Sequence, residues 1–175
     1  TPGHKLVVTT DVLVEGLDFT TALSEPEDWG WKAVVANLSD LAAMGAEARW
    51  LVLALTVPDP TPVGTLERVY AGVGEACRAY GVTLVGGDVS AGPALSLAVT
   101  ALGEVERPVL RSGARPGDRL AVTGPLGAAA AGLVTREDVF SRIDASRHQD
   151  SARARQSSAE GITVSAARGA GAEHV

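Results

Sequence analysis

The sequence predicts an α/β or α+β domain in which a sheet packs against helices. Strand-like and helix-like segments alternate in the order strand, helix, strand, helix, strand, strand, loop, strand. The connections between these segments have ordinary lengths for a compact domain. The 175-residue chain is 46% hydrophobic and 21% charged, so it has enough apolar side chains to bury a substantial core.

The first strand and the first helix have clear boundary signals. Residues 5–14 form an apolar run with β-branched side chains that ends at Glu15 and Gly16, which predicts a strand entering a turn. Ser24 and Glu27 have the spacing of a capping box with a proline between them, so we expect a helix over about residues 25–46. The residues expected to face the core are Val34, Leu38, Leu41 and Gly45.

The second strand and the second helix follow directly. Both alternating sets of positions in residues 51–57 are apolar, which predicts a strand with two apolar faces. The strand ends at the Pro58-Asp59-Pro60 turn. Pro62 opens the next helix and Gly81 follows its last turn, as is typical of helix ends. The residues expected to face the core are Leu66, Val69, Tyr70, Val73, Cys77 and Tyr80.

Two more strands precede a loop and the last predicted strand. Residues 82–85 form a short strand that runs into Gly86-Gly87-Asp88, and the alternation from Leu95 to Gly103 predicts the strand after it. Residues 111–118 are a loop rich in glycine and proline. Residues 120–123 resemble a further strand, which precedes an alanine-rich helix.

The composition changes after Leu133. Leucine occurs eighteen times up to that residue and never after it, and the last 41 residues contain six of the fifteen basic residues. One interpretation is a disordered tail. The other is a shift of the reading frame near Val134, because high-GC coding sequence read out of frame often yields Arg, Ala, Ser and Gly. Both interpretations stay open.

Charge and composition exclude several classes of function. The net charge is −6, and no cluster of lysine and arginine with interleaved aromatic residues is present, which argues against a nucleic-acid surface. No apolar run approaches the roughly 20 residues that cross a bilayer, so we expect no membrane partner and a cytoplasmic protein. Cys77, the only cysteine, is expected to be a packed core thiol and not a nucleophile.

Three aspartates lie beside small or hydroxyl residues: Asp11 follows two threonines, Asp40 follows a serine, and Asp88 follows two glycines. Mg²⁺ prefers carboxylate, hydroxyl and carbonyl oxygens. Metals held between such groups would offset the repulsion between two anionic phosphate compounds. The glycines before Asp88 would let the backbone approach a phosphate and adopt positive φ. Any one of these aspartates alone is more often solvated or a cap.

Four segments of the chain, in order, are similar to motifs of the thiamine-monophosphate kinase family. Residues 8–19 resemble T-T-D-x-L-V-E-G-x-H-F, and residues 32–46 resemble K-A-x-x-x-N-L-S-D-x-A-A-M-G-A. Residues 86–88 match G-G-D, and residues 111–127 are similar to R-S-G-A-x-x-G-D…V-T-G-x-x-G. The wider superfamily of aminoimidazole ribonucleotide synthetase, selenide water dikinase and a hydrogenase maturation protein shares the second motif. The V-E-G-x-x-F segment points to the thiamine-phosphate branch.

The resemblance implies an enzyme that uses ATP and Mg²⁺ to phosphorylate thiamine monophosphate to thiamine diphosphate. It also implies a fold, namely a mixed sheet with helices on one face that forms a barrel across a homodimer. No side-chain nucleophile is required, because a substrate phosphate oxygen is already ionised. The positions that correspond to the family's Mg²⁺ ligands are Thr9, Thr10, Asp11, Asp40 and Asp88.

The resemblance places Gly87, Arg111 and Tyr70 at positions that contact ATP, and Asp18 at a position that contacts the substrate. Tyr70 also lies on the predicted core stripe of its helix, and packing is the favoured role for it. The family has histidine where this chain has Asp18, and a carboxylate there would repel phosphate unless a metal intervened. Trp29 and Trp31 are expected to pack at the start of their helix.

Two family segments do not occur in the chain, an acidic G-D-D-A segment upstream and an S-D-G segment downstream. We therefore expect residues 1–121 to form an N-terminal ATP- and Mg²⁺-binding domain without its first segment. Residues 122–134 would begin a C-terminal domain, and residues 135–175 would be the irregular or frameshifted tail. The alternatives are another ATP-dependent member of the superfamily, with a selenide or purine-pathway substrate, and an inactive fragment that only folds and dimerises.

Overall fold

The structure is a computed structural model that describes residues 2–122, 124, 126–128 and 166–167. The chain divides into two compact units, Thr1–Leu110 and Arg111–Val175. The order of the first six elements confirms the predicted order. The elements are β1 (Lys5–Val14), α1 (Pro26–Ala43), β2 (Glu47–Val57), α2 (Val63–Tyr80), β3 (Thr83–Ala91), β4 (Ser96–Val105), β5 (Arg119–Leu120) and β6 (Ala166–Ala167).

The second unit contributes one antiparallel pair, in which β5 lies beside β6. The predicted alanine-rich helix lies outside the described residues except for Ala128, and so does the tail except for residues 166–167. The two interpretations of the tail and the predicted boundary at residue 121 therefore stay predictions. Within the described part of the chain, no helix is long and apolar enough to cross a membrane.

The first unit is built on a mixed four-stranded sheet with the strand order β1-β4-β2-β3. Strand β4 is antiparallel to both β1 and β2, whereas β3 is parallel to β2. Asp11 pairs with Val99, Val99 with Leu53, and Leu53 with Gly87, so these four residues form one row across the sheet. Asp11 and Gly87, which the sequence proposed for the site, therefore lie at the same level along the strand direction.

One face of the sheet is covered by the helices, as predicted. Helix α1 packs against β1, β2 and β4, and α2 packs on α1 and reaches β3. Burial alternates along β4 from Ser96 to Val105, which confirms its predicted period of two. The core between sheet and helices includes Val34, Leu38, Leu41, Leu51, Leu53, Leu55, Leu97 and Val99.

The opposite face of the sheet, called here the open face, is apolar but exposed. On β1, Leu6, Val8 and Val12 are 59%, 56% and 51% exposed. On β2, Trp50 and Val52 are 40% and 37% exposed. The sequence correctly predicted that both faces of β2 are apolar, but in a single copy only one of them is buried.

Helix α1 begins with a different cap from the predicted one. Asp28 Oδ2 accepts a hydrogen bond from the backbone N–H of Glu25 at 3.0 Å, so the capping pair is shifted by one residue. Ser24 Oγ instead accepts a bond of 2.9 Å from Trp29 Nε1. At the other end, Gly45 lies beyond the helix with φ of 70°, so its expected place in the core stripe is wrong. A left-handed glycine ends a helix and does not continue it.

The two helices cross at two glycines. A Cβ added to Gly30 would collide with the carbonyl oxygen of Val69, and one added to Gly72 would collide with the carbonyl oxygen of Glu27. The helix backbones therefore touch directly at the crossing. Arg68 ties the same region together, because its guanidinium contacts Glu27 Oε1 and Glu25 Oε2 at 2.7 Å each.

The aromatic side chains of the helices divide into packed and exposed groups. Trp29 is 3% exposed and stacks on Phe19 with a centroid distance of 4.9 Å, and Trp31 packs against the core, so the predicted packing role of both is confirmed. Tyr70 and Tyr80 are 37% and 57% exposed, and their expected place in the core is wrong. The fully buried stripe of α2 is narrower than predicted and consists of Val69, Gly72, Val73 and Ala76, while Cys77 is partly buried and packs against the core.

Candidate functional site

Two of the predicted metal ligands, Thr9 and Asp11, lie on the side of β1 that the helices cover. Val7, Thr9, Asp11 and Leu13 alternate onto this side of the strand, because successive side chains of a strand point to opposite faces. Thr9 Oγ1 donates a hydrogen bond of 2.8 Å to Asp40 Oδ2 of α1. We call Thr9, Asp11 and Asp40 the acidic cluster. The structure thus brings together three of the five predicted ligands.

Negative charge is concentrated at the acidic cluster. Partial burial, followed by the charges of Asp40 and Asp18, raises the pKa of Asp11 above its ordinary value. Like charges that lie close together favour a bound cation, and carboxylate and hydroxyl oxygens are the ligands that Mg²⁺ prefers. Among the residues that the structure describes, however, no three acidic, histidine or cysteine groups are placed to hold a metal ion by themselves. The cluster supplies two carboxylates and one hydroxyl, which are donor types that suit Mg²⁺ but leave further coordination positions to be filled by other groups.

Asp18 lies in the turn that follows β1. Its Oδ2 accepts a hydrogen bond of 2.9 Å from the backbone N–H of Val14, and its backbone oxygen accepts one from Lys32 Nζ. Its charge also acts on Asp11. The charge of the predicted substrate residue thus acts on the acidic cluster, and its side chain stabilises its own turn.

A second group of predicted residues lines a pocket at the other edge of the sheet, called here the glycine pocket. Its volume is about 570 Å³, within the range of small-molecule sites. Tyr70, from α2, lies on one side of it, which explains why this tyrosine is not in the core. The pocket brings the predicted nucleotide contacts Tyr70 and Gly87 together with Asp88. The remaining lining residues are Leu84, Val85, Gly86 and Val89.

The two glycines of the pocket have different surroundings. A Cβ on Gly87 would collide with the carbonyl oxygen of Leu53 in the neighbouring strand, whereas a Cβ on Gly86 would meet nothing within 4 Å. Both lie inside β3, and neither has positive φ. The expectation that these glycines adopt positive φ is therefore wrong. Gly87 is required for close strand packing, and Gly86 leaves open space for a ligand.

Asp88 is separated from the acidic cluster within one copy of the chain. Asp11 and Gly87 lie in the same row but on opposite edge strands, three strand spacings or about 14 Å apart. Asp88 pairs with Ala54, which alternates onto the open face, whereas Asp11 lies on the covered face. The acidic cluster and the glycine pocket thus lie on opposite edge strands of the sheet.

Thr10, a further predicted residue, lies outside both the acidic cluster and the glycine pocket. Thr10 points to the open face, where its Oγ1 donates to the backbone oxygen of Val99 at 3.0 Å and accepts from Thr100 Oγ1 at 3.1 Å. Its hydroxyl is therefore not part of the acidic cluster. Arg111 is exposed and belongs to the second unit.

Two polar residues near the site were not predicted. Ser90 Oγ donates a hydrogen bond of 2.9 Å to Asp88 Oδ2 and thereby orients that carboxylate. The contact between Ser90 and Asp88 could have been predicted from their spacing, because residues two apart on a strand share a face. Lys32, which binds the backbone of Asp18, gave no signal, because the long turn between them hides their proximity.

Comparison with known proteins gives one consistent family. Residues 1–105, more than half of the chain, match the family described as AIR synthase related protein, N-terminal domain. The thiamine-monophosphate kinase of Synechococcus elongatus is 45% identical over 133 residues, which are 75% of this chain and 41% of that protein. The thiamine-monophosphate kinase of Aquifex aeolicus is 43% identical over 131 residues, which are 75% of this chain and 42% of that protein.

Solved structures show the same fold. A structure described as AaThiL complexed with AMPPCP and TMP superposes with a TM-score of 0.72 and 40% identity, over 78% of this chain and 45% of that one. The chain spans less than half the length of each of these relatives. The resemblance inferred from the four motifs is confirmed, as is the mixed sheet. The chain belongs to the family of the AIR synthase related protein N-terminal domain.

Proposed function

We propose that the protein carrying this chain transfers a phosphoryl group from ATP to thiamine monophosphate and yields thiamine diphosphate. The observation that carries this proposal is the acidic cluster. The charge of Asp40 acts on Asp11, and the Thr9 hydroxyl of β1 donates a hydrogen bond to Asp40 of α1. The similarity to thiamine-monophosphate kinases and to a structure that holds AMPPCP and TMP supports the choice of substrates.

The side chains of the acidic cluster would hold Mg²⁺ through Asp11, Asp40 and Thr9. Bound there, the metal would neutralise the charge of the phosphates that must come together. Thr9 holds one carboxylate oxygen of Asp40 in place before any ligand arrives, which lowers the reorganisation needed for binding. Thr10, a predicted ligand, would have to contribute through its backbone, because its hydroxyl lies on the other face of the sheet.

We assign the glycine pocket to the nucleotide. Gly86 leaves space in front of the β3 backbone, and the ring of Tyr70 borders the same space. Ser90 holds the Asp88 carboxylate, which would bind a second cation beside the phosphates. The acceptor is a phosphate oxygen that is already ionised, so no side chain of this chain is needed as a nucleophile.

We further propose that two copies of the chain pair through the open face. A contiguous exposed apolar surface of this kind marks an interaction site in most soluble proteins. Five large apolar side chains of β1 and β2 form it, together with the bonded hydroxyls of Thr10 and Thr100. Two such faces packed together form a sheet-on-sheet core, which is the barrel that the resemblance implies. Asp88 lies on the same side of the sheet, at its edge.

The substrate assignment is tested with the full-length product of the gene, ATP and Mg²⁺. We expect thiamine diphosphate to form from thiamine monophosphate, with a lower rate for selenide and for phosphorylated purine-pathway substrates. A preference for either of the latter would assign the protein to another branch of the superfamily. If the protein forms a dimer but binds no ATP by calorimetry and turns over none of these substrates, it is an inactive member that only folds and dimerises.

A further inference from the structure

Two carboxylates that lie on different elements are each held by the hydroxyl group of a strand residue. Thr9 Oγ1 of β1 donates a hydrogen bond of 2.8 Å to Asp40 Oδ2, and Ser90 Oγ of β3 donates one of 2.9 Å to Asp88 Oδ2. No hydrogen bond to the other oxygen of either carboxylate, Oδ1, occurs among the described residues. The two pairs therefore share one arrangement, in which a hydroxyl occupies one carboxylate oxygen and leaves the second one open.

The pair of Ser90 and Asp88 is formed within a single strand. Residues two positions apart on a strand point to the same face, so the hydroxyl lies beside the carboxylate without help from another element. Both residues are exposed. An exposed carboxylate without a partner rotates freely, whereas the bond to Ser90 orients this one before a ligand arrives.

The lining of the glycine pocket requires a cation at Asp88 if the pocket holds a nucleotide. Among the described residues of the lining, Asp88 is the only charged one, and the others are apolar, aromatic or glycine. The phosphates of a nucleotide carry several negative charges, which this carboxylate would repel. A divalent cation bound between the carboxylate and the phosphates would remove the repulsion.

Mg²⁺ and Ca²⁺ make different demands on a carboxylate. Mg²⁺ requires near-octahedral geometry and is usually bound by few carboxylates together with waters and substrate phosphates. Ca²⁺ takes a larger number of oxygens at longer distances and often binds both oxygens of one carboxylate. At Asp88, an ion that binds both oxygens must compete with the Ser90 hydroxyl for Oδ2, whereas an ion that binds Oδ1 alone does not.

We propose that Ser90 selects the cation that accompanies the nucleotide, because its hydroxyl makes Asp88 a ligand through one oxygen and thereby favours Mg²⁺ over Ca²⁺. Ser90 is a positioning residue, since the described lining of the pocket includes Asp88 but not Ser90. The inference rests on the proposed function, which assigns the glycine pocket to a nucleotide with a cation at Asp88. Thr9 applies the same constraint to Asp40 in the acidic cluster.

The test replaces Ser90 with alanine in the full-length gene product. Ser90→Thr keeps the hydroxyl at a strand position, which suits threonine. Ser96→Ala is the matched control, because Ser96 and Ser90 both pair with Thr56, and Ser96 makes no side-chain hydrogen bond among the described residues. Calorimetry measures Kd for AMPPCP, which replaces ATP so that no turnover occurs, with Mg²⁺ and separately with Ca²⁺.

We expect Ser90→Ala to raise Kd for AMPPCP about tenfold in Mg²⁺, since a hydrogen bond that orients a ligating carboxylate is lost. In Ca²⁺ the same substitution frees Oδ2 for the metal, so Kd should change by less than about twofold. The preference for Mg²⁺ over Ca²⁺ therefore falls. Ser90→Thr and Ser96→Ala should keep the preference of the unsubstituted protein.

An equal rise of Kd in both metals would overturn the inference, because Ser90 would then orient Asp88 without selecting the cation. An unchanged Kd in both metals would overturn it as well, and so would a Ser90→Thr variant that behaves like Ser90→Ala. Failure of the proposed function gives a different result, because the unsubstituted protein would then bind AMPPCP with neither metal.

Discussion

Gly86 and Gly87 are adjacent in β3 and both pair with β2, yet only at Gly87 would an added Cβ collide with that strand. Alanine at Gly87 would drive a methyl group into the carbonyl oxygen of Leu53, a backbone atom that cannot move aside without shifting β2. We expect Gly87→Ala to destabilise the fold by about 1–3 kcal/mol, as overpacking does elsewhere. Gly86→Ala should change stability by less than about 0.5 kcal/mol, since its Cβ meets open space. Denaturant unfolding of both variants checks this, and equal losses would contradict it.

Asp11 gives a prediction about pH. Because its pKa is raised in the folded state, the folded protein binds more protons than the unfolded one as the pH rises from 3.8 through the folded pKa. Stability contributed by this group is therefore complete below 3.8 and is lost above that interval. We expect Asp11→Asn to raise Tm at pH 7 in EDTA and to have no effect well below pH 3.8.

The control for this prediction is Glu75→Gln, which removes an exposed carboxylate on α2. Thermal unfolding at the two pH values measures both variants. A lower Tm for Asp11→Asn at pH 7 would contradict the account, because it would mean that the ionised carboxylate stabilises the fold. Added Mg²⁺ should raise Tm of the unsubstituted protein more than that of Asp11→Asn.

At the residue scale, the sequence predicted which residues carry ligand oxygens better than it predicted the face of the sheet to which each side chain points. The oxygen-rich residues Thr9, Asp11 and Asp40 were proposed as ligands from their types and their motifs, and they do meet. Thr10 was proposed beside them, but the alternation of a strand sends its side chain to the other face. The close packing of Gly87 against β2 was not predicted, because close packing of two backbones leaves no local pattern in the sequence.

The crossing of α1 and α2 is the feature of the element scale most open to test. Gly30→Ala would place a methyl group against the carbonyl oxygen of Val69 and push the helices apart. We expect a loss of about 1–3 kcal/mol in the free energy of unfolding, despite the higher helix propensity of alanine. Gly64→Ala is the control in the first turn of α2, where nothing lies within 4 Å. It should be neutral or stabilising by up to about 1 kcal/mol, and a similar loss there would contradict the contact.

Elements were predictable where their signals are local. Strand β1 occupies the predicted residues, because its apolar run is a signal within the strand itself. Helix α2 ends just before Gly81, as predicted, because a left-handed glycine terminates a helix locally. The capping box was predicted one residue too early. Glu27 and Asp28 are both acidic residues suited to cap the start of α1, and tertiary contacts decide which of them does so. Glu27 is taken by Arg68 of α2, which leaves Asp28 to cap the helix.

At the scale of the whole molecule, we propose that the open face is the surface through which two copies assemble. We expect the protein to be a dimer, and Val8→Glu to dissociate it by placing a charge in the apolar interface. Val63→Glu is the control, because Val63 is 70% exposed at the start of α2, away from the open face. Sedimentation equilibrium gives the masses. A dimer that survives Val8→Glu would contradict the proposed interface.

The separation of the acidic cluster from the glycine pocket could not be predicted from the sequence. Motif order says nothing about strand order, and the order β1-β4-β2-β3 places the first and third strands at opposite edges. The fold class, in contrast, follows from the order of the apolar segments, whereas the placement of the helices on one face was implied by the family resemblance. The domain boundary at residue 121 depends on residues beyond the first unit and stays a prediction.

The measurement that tests the central claim most directly is turnover by Asp40→Asn in the full-length gene product. Asparagine keeps an oxygen for the hydroxyl of Thr9 but removes the charge that would bind Mg²⁺. We predict a loss of thiamine diphosphate formation of at least about 100-fold with little change in Tm, and normal turnover for Glu75→Gln. Near-normal turnover by Asp40→Asn at limiting Mg²⁺ would contradict the claim that the acidic cluster holds the metal for phosphoryl transfer.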